Sequence, residues 1–423
     1  MKEHPTVPLP EEAVTLPENS IWRKLPLIAG VVGVISLIAS FGTALYMKMP
    51  FFAGYLIAFL YFLSIALGGM FAVLIHFATR AGWSVVIRRL AEFILGTFAA
   101  PLGKIRFPLF LILFIPIVIG MSTLYPWIPS HGHKLDHVIQ AKVGYLNVTF
   151  FLIRAGIYFL VWFLIARFFV GSSIEQDRTG NPELSRKMQF WSPLSIACFA
   201  LTLTFAAFDW IMSTDPHWFS TIFGVYYFAG SLIAIYSTLL IFVISLRGTG
   251  VLKGIVTAEH DQDMGKLLFG FNVFWSYIAF SQFMLIWYSN LPEETLWFKH
   301  RWEGGWKYLS LTLVFGHFVI PFFFLMSRHI KRKPFLAFIG AAWILLIHLA
   351  DLYWLIMPNM YHHAHHMKLP HDHFAMIHLL PLVTSFIGIG GIFFAVVGWR
   401  MRSEHLVPSQ DPRLAESLSF ENV

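Results

Sequence analysis

The chain has 423 residues, of which 57% are hydrophobic, 17% aromatic and only 13% charged, with a net charge of +7. Soluble domains carry roughly 25% charged residues, so about half the charge of a hydrated surface is missing. Together with a mean hydropathy of +0.66, this excludes a soluble enzyme, a disordered chain and a fibrous protein, and predicts an all-α polytopic membrane protein. Cys198 is the single cysteine, which excludes an intrachain disulfide, a CxxC zinc site and a Cys-ligated iron–sulfur cluster. The excess of basic residues suits loops biased by membrane topology, so no nucleic-acid partner is expected.

The first 24 residues carry Glu3, Glu11, Glu12, Glu18 and four prolines. They lack the basic start, short apolar run and small-residue cleavage site of a signal peptide, and read as a flexible cytoplasmic tail. A transmembrane domain over 25–399 follows, then a second tail over 400–423 in which Leu406–Val423 is expected to be another flexible arm. A span needs about 20 apolar residues. Ten stretches qualify, at roughly 25–47, 52–77, 107–125, 143–170, 190–212, 219–246, 265–289, 306–327, 335–357 and 376–399. The stretch from Trp83 to Gly103 contains Arg88, Arg89 and Glu92. Its apolar positions suit an amphipathic helix lying on the interface, and it is not counted as a span.

Ten spans put both termini on one side. The tails and even-numbered loops hold 20 Lys and Arg against 6 in the odd-numbered loops, which predicts a multi-pass protein with both termini cytoplasmic. Tryptophans gather at both expected interfaces, as in any such protein.

Ionisable groups inside spans are costly and mark a path or a site by default. Arg154 lies about 16 Å deep in span four by the helical rise, and Asp209 one turn from the external end of span five. Asp351 is two turns from the external end of span nine, with His348 one turn deeper on the same face. Gln282 is on span seven, His317 is mid-way along span eight and His378 opens span ten. The cytoplasmic half offers only Asn272, His76 and Arg167. A polar set open only to the outside suits a proton half-channel or a quinol pocket, where an Asp or His accepts the proton. The competing assignment is a structural ion pair of Arg154 with Asp209 or Asp351, and His317 alone reads as a hydrogen-bonding group. His317 and His348 are the nearest histidine pair, no second pair is evident, and haem is not expected. The external loops carry His131, His133 and His137, then His362, His363, His365, His366, His371 and His373. Their spacing fits no closed ligand set, so no specific metal site is expected.

The run from Phe208 to Tyr226 includes Asp215, Pro216, His217 and Trp218 in the sequence DPHWFSTIFGVY. It reads as a tight external turn in which Pro216 ends one helix and Asp215 caps the next. This run, with the chain length and ten spans, resembles the NrfD-like F subunit of bacterial alternative complex III, a quinol:electron acceptor oxidoreductase. The resemblance covers essentially the whole chain. It implies two four-helix bundles with two flanking helices. It also implies packing against a homologous NrfD-like C subunit, an iron–sulfur subunit, multihaem and monohaem cytochrome c subunits and small membrane subunits. The quinol site of that family is usually placed in the C subunit. The expected role here is a quinone-like pocket or proton path in a chain without a redox centre of its own, with quinone and lipid as its small-molecule partners. The rival class is a self-contained secondary transporter binding substrate through intramembrane Asp, Arg and His. Against it, no matching pair of Gly/Pro-broken helices occurs, and Gly388, Gly390 and Gly391 read more simply as a close helix contact.

Overall fold

The structure is a computed structural model that describes residues 9–102, 105–129, 136–366 and 379–422. Among the described residues, nine helices are long and apolar enough to cross a membrane. The chain is therefore an all-α polytopic membrane protein. In chain order the elements are α1 (Ile21–Ala44), α2 (Lys48–Thr79), α3 (Val85–Leu95), the short strands β1 (Ala100–Leu102) and β2 (Ile105–Phe107), α4 (Leu109–Ile119), α5 (Val148–Thr179) and α6 (Glu183–Trp210). They continue as α7 (Phe223–Gly248), α8 (Ala258–Ser289), α9 (Pro292–His300), α10 (Trp306–Met326), α11 (Pro334–His366), α12 (Leu379–Ser403) and α13 (Leu414–Leu418). β1 and β2 form a small antiparallel hairpin pairing Ala100 with Phe107. Ser20, Asn147 and Thr257 cap α1, α5 and α8 by accepting backbone N–H bonds that the helix cannot use.

The third expected span departs from its expected length. α4 covers 11 residues, about 16 Å and half a hydrocarbon layer, and a single turn over Met121–Leu124 follows it. Pro116 inside α4 removes one ladder bond. At Gly120 the chain runs so close to Phe52 that a Cβ would sit 2.1 Å from its ring.

α2 is the centre of the molecule, with every residue from Ala53 to Met70 buried. It packs against α12, α7, α3 and α6, while α5 lies on α6, and α7 lies on α8 and α11. α1 is peripheral and seats on α12. A Cβ at Gly391 would meet the Ala29 carbonyl oxygen at 2.5 Å, and one at Gly33 would meet the Ile392 nitrogen at 2.8 Å. The glycines of α12 thus serve backbone-to-backbone contact, closed by a 2.6 Å hydrogen bond between Ser40 and Ser385.

Two expectations are corrected, one for α3 and one for the ends of the chain. α3 does not lie on an interface: all of its residues are buried. Its charges are paired inside the protein, Arg88 with Glu92 at 2.8 Å and Asp411 at 2.6 Å, and Arg89 with Glu92 at 3.1 Å and Asp177 at 2.5 Å. Two of these partners come from other segments, so the helix needs no water-facing side. The C-terminal segment is not a free arm either, because it covers α3. Leu406, Val407 and Leu414 are buried, and the Ser417 hydroxyl donates to the Trp83 carbonyl and accepts from the Val86 amide. The N-terminal segment joins it: Val14 is buried, its carbonyl accepts from the Leu406 amide, and the Ala13 carbonyl accepts from the Leu252 amide. Both ends meet on one side of the molecule, called the tail side below.

Candidate functional site

The expected single polar set divides into two. In the first, Arg154 on α5 and Asp209 on α6 form a two-pronged ion pair, Nε to Oδ2 and Nη2 to Oδ1, both at 2.8 Å. The Tyr158 hydroxyl donates to the same carboxylate at 2.7 Å, and Arg154 Nη1 donates to the Tyr145 carbonyl at 3.0 Å. The guanidinium is covered by the rings of Tyr145 and Phe150, at 3.8 and 4.3 Å from their centroids. All three guanidinium nitrogens and both carboxylate oxygens hold at least one hydrogen bond, which favours persistence of a charge pair in a low dielectric. Of the two partners left open for Arg154, the geometry selects Asp209, and Asp351 is elsewhere.

The second set surrounds Asp351, which is buried on α11. Its Oδ1 accepts from the Tyr226 hydroxyl of α7 at 2.5 Å, and among the described residues no cationic side chain lies within ion-pair distance of it. One turn deeper, His348 Nε2 meets the Ser64 hydroxyl at 3.0 Å. Ser64 gives its own hydrogen to the Tyr61 carbonyl at 2.7 Å, so Nε2 of His348 carries the ring proton and Nδ1 is left without a partner. His317 sits in a π-helical turn, Leu313–Val319, inside α10. Such turns recur at functional sites. Its ring lies against Trp275, tilted by 32° with 3.6 Å between centroids, and neither of its nitrogens has a partner.

A cavity of about 470 Å³ opens beside this group, between α8, α9, α10 and α11. Its walls are apolar and aromatic, with Tyr226, Trp275, Gln282, Ser310 and Trp354 contributing polar atoms. Gln282 Nε2 is a buried donor with no partner, and the Trp275 indole N–H is turned to the Tyr226–Asp351 couple. Gln282, Trp275 and Asn272 share one face of α8 by helical spacing, and Asn272 is likewise buried and unpartnered. Unpaired buried polar groups are uncommon and costly; here Gln282 lines the cavity and Asn272 continues the same helix face beyond it. Tyr226 and Trp275 escape detection in the sequence because their aromatic rings match those of any interfacial belt. The unusual signal was available in α8, where Asn272 and Gln282 fall on one stripe of an otherwise apolar face.

The DPHWFSTIFGVY turn serves a different purpose from the one expected. Asp215 does not cap α7, whose N-cap is Ile222 and has no side-chain cap. Instead Asp215 Oδ1 accepts from the His217 amide at 3.2 Å, closing a local turn. α6 ends at Trp210, ahead of Pro216. The Pro216 carbonyl accepts from Lys142 at 2.6 Å, His217 pairs with Asp136, and Trp218 stacks on Trp297 at 4.2 Å. The turn is thus bound to the Asp136–Lys142 segment and to α9. The Ile139 amide, first, and His217 hold the Asp136 carboxyl below its usual range.

On the tail side, His76 Nδ1 meets Ser84 at 2.7 Å and His76 Nε2 meets Arg88 at 2.9 Å. Burial works against the Asp411 carboxylate, but Arg88 beside it, the Arg413 amide and His76 together hold it below the usual carboxylate range. This ionic group was missed in the sequence, although His76, Arg88, Arg89 and Glu92 were each visible. His378, His131, His133, His371 and His373 lie outside the described residues, as do the side chains of His362, His363, His365 and His366.

No protein-family model matches the chain, and no curated protein matches it.

Proposed function

We propose that the chain is an integral membrane subunit of a quinol:electron acceptor oxidoreductase complex, with the cavity beside Asp351 as a quinone-like pocket. The observation that carries this reading is an aromatic cavity lined by Tyr226, whose hydroxyl donates to the buried Asp351 carboxylate behind the wall. At about 470 Å³, the cavity is within the 300–1,000 Å³ range of small-molecule sites. Gln282 Nε2, which has no partner, and the Trp275 indole N–H, which lies against the Tyr226–Asp351 couple, fit the oxygens of a benzo- or naphthoquinone ring. A quinol oxidised there would pass its two electrons to the redox centres of the partner subunits and give up its two protons one at a time: the Tyr226 hydroxyl oxygen takes a proton as its own hydrogen passes to Asp351, and Asp351 releases that proton before the second follows the same route.

Ten crossings suit this architecture, with α4 and its following turn as the short one, since the meeting of both ends on one side requires an even number. The packing of α2, α4, α5 and α6 together, and of α7, α8, α10 and α11 together, with α1 and α12 alongside, supports two four-helix bundles and two flanking helices. The Lys and Arg bias of 20 against 6 supports a cytoplasmic tail side in the bacterial inner membrane. Under this reading the partners are the homologous C subunit, an iron–sulfur subunit, multihaem and monohaem cytochromes and small membrane subunits. The chain itself contributes a proton path and scaffolding.

The test is steady-state quinol oxidation by the complex purified in mild detergent, comparing wild type with Asp351→Asn. The expected result is co-purifying cytochromes and a fall in turnover of about 100-fold, in the range for loss of a positioned proton acceptor. A stable lone protein that transports a solute, or unchanged turnover in an assembled Asp351→Asn complex, overturns the proposal.

A further inference from the structure

The guanidinium of Arg301 is almost fully buried just beyond α9, and no carboxylate among the described residues lies within ion-pair distance of it. Its hydrogen bonds instead go to carbonyls. Nη1 donates to the Trp297 carbonyl at 2.9 Å, and Nε to the Trp354 carbonyl at 3.2 Å. Nη2 donates to the Leu355 carbonyl and to Asn359 Oδ1, both at 2.9 Å. The plane lies over Trp297, 3.3 Å from its ring centroid, with Trp354 at 4.9 Å.

The reason for this arrangement is written in α11. Pro358 lies inside that helix, and a proline has no N–H to give to the residue four positions back. The carbonyl so abandoned is that of Trp354, the one that Arg301 Nε reaches. In a membrane-embedded helix such a gap has to be filled by a neighbouring segment. The filling also fixes the cavity. Trp354 and Ser310 both line it. Trp354 Nε1 donates to the Ser310 hydroxyl at 2.8 Å, and that hydroxyl donates to the Arg301 carbonyl at 2.7 Å. Asn359 in turn donates to the Thr214 hydroxyl at 2.9 Å, which ties the same point to the end of α6. Asp351 is one helical turn before Leu355, on the same helix.

We propose that Arg301 is a positioning residue for the cavity: its planar fork fills the backbone gap at Pro358 and holds Trp354, Ser310 and the α9 cap as one wall of the ligand site. This deepens, and rests on, the quinone-like reading of that cavity. A lysine offers a point charge without the fork or the flat face over Trp297, so it replaces only part of the contact.

The experiment uses the purified complex and a short-chain quinone bearing a photoreactive group, with cross-linked peptides located by mass spectrometry and quinol kinetics measured in parallel. Wild type is expected to label the α8 segment around Trp275 to Phe283. In Arg301→Gln, labelling falls and KM rises by about tenfold, as for loss of buried hydrogen bonds, with kcat within about twofold. Arg301→Lys recovers part of the affinity. Pro358→Ala returns an N–H to the Trp354 carbonyl and, in the Arg301→Gln background, recovers labelling further. A merely structural role lowers the yield of assembled complex without moving KM in the assembled fraction, and that result overturns the inference. So does wild-type labelling of the cavity that Arg301→Gln leaves unchanged, in which case the quinone-like reading stands alone. Wild type that labels only elsewhere in the complex removes the quinone-like reading and this inference with it.

Discussion

Replacing Arg154 with alanine removes the counter-charge of a carboxylate that is completely buried. Asp209 has zero side-chain exposure and Arg154 only 8%. After the substitution Asp209 keeps one strong side-chain partner, the Tyr158 hydroxyl, in place of a two-pronged guanidinium. Breaking a buried pair from one side costs about 3–5 kcal/mol, because the surviving charge is left without compensation. Replacing both members by apolar residues of similar size removes that penalty, and such exchanges are often neutral or better. Arg154→Ala is therefore expected to lower thermal stability in detergent strongly, whereas Arg154→Met/Asp209→Leu returns to within about 1–2 kcal/mol of wild type. The assay is the thermal midpoint of detergent-solubilised protein, read by loss of the monodisperse peak on size exclusion. If the single variant is as stable as wild type, or the double variant is as damaged as the single, the ion pair is not the structural element described above. Quinol turnover of the assembled double variant adds a second reading. Retained turnover assigns this pair to the scaffold, and lost turnover assigns it to the proton path.

Other consequences follow from the same contacts. Tyr226→Phe removes the hydroxyl that donates to Asp351, leaving Trp275 beside the carboxylate, and should reduce quinol turnover by at least about tenfold in an assembled complex, measured by steady-state kinetics. Asp411 is held below its usual range in the folded protein. Its stabilising contribution is therefore present above about pH 4 and lost as the pH falls further. Proteolysis of the C-terminal segment should accelerate over that acid range, and Asp411→Asn should show the acid-range susceptibility already at neutral pH. Gly391→Leu should separate α1 from α12, because its Cβ would fall 2.5 Å from the Ala29 carbonyl oxygen. Oxidative cross-linking of Ser40→Cys/Ser385→Cys, efficient otherwise, should then fail.

What the sequence revealed depended on whether a signal was local. Apolar runs and charged loops are local, and they gave the membrane class and nearly every helix. α4 is the exception, because its truncation depends on Pro116 and on the approach of Phe52, which a hydropathy window averages away. α3 looked interfacial because its charges had no visible partners. Those partners are 88 and 323 positions distant, at Asp177 and Asp411, and only tertiary packing brings them in. The polar residues of the outer half were individually evident, but their division into two groups was not, since it depends on which helices are neighbours. Arg301 resembled an ordinary loop charge. Its purpose becomes legible only when Pro358, a residue on another helix, is seen to leave a carbonyl that it can reach.

The most direct measurement is a density map of the intact complex in a native-like lipid bilayer, with a quinone added. The account predicts a quinone ring in the cavity, with its oxygens at hydrogen-bond distance from Trp275 Nε1, Gln282 Nε2 or the Tyr226 hydroxyl. A cavity occupied only by lipid tails, with the quinone ring bound elsewhere in the complex, would contradict it.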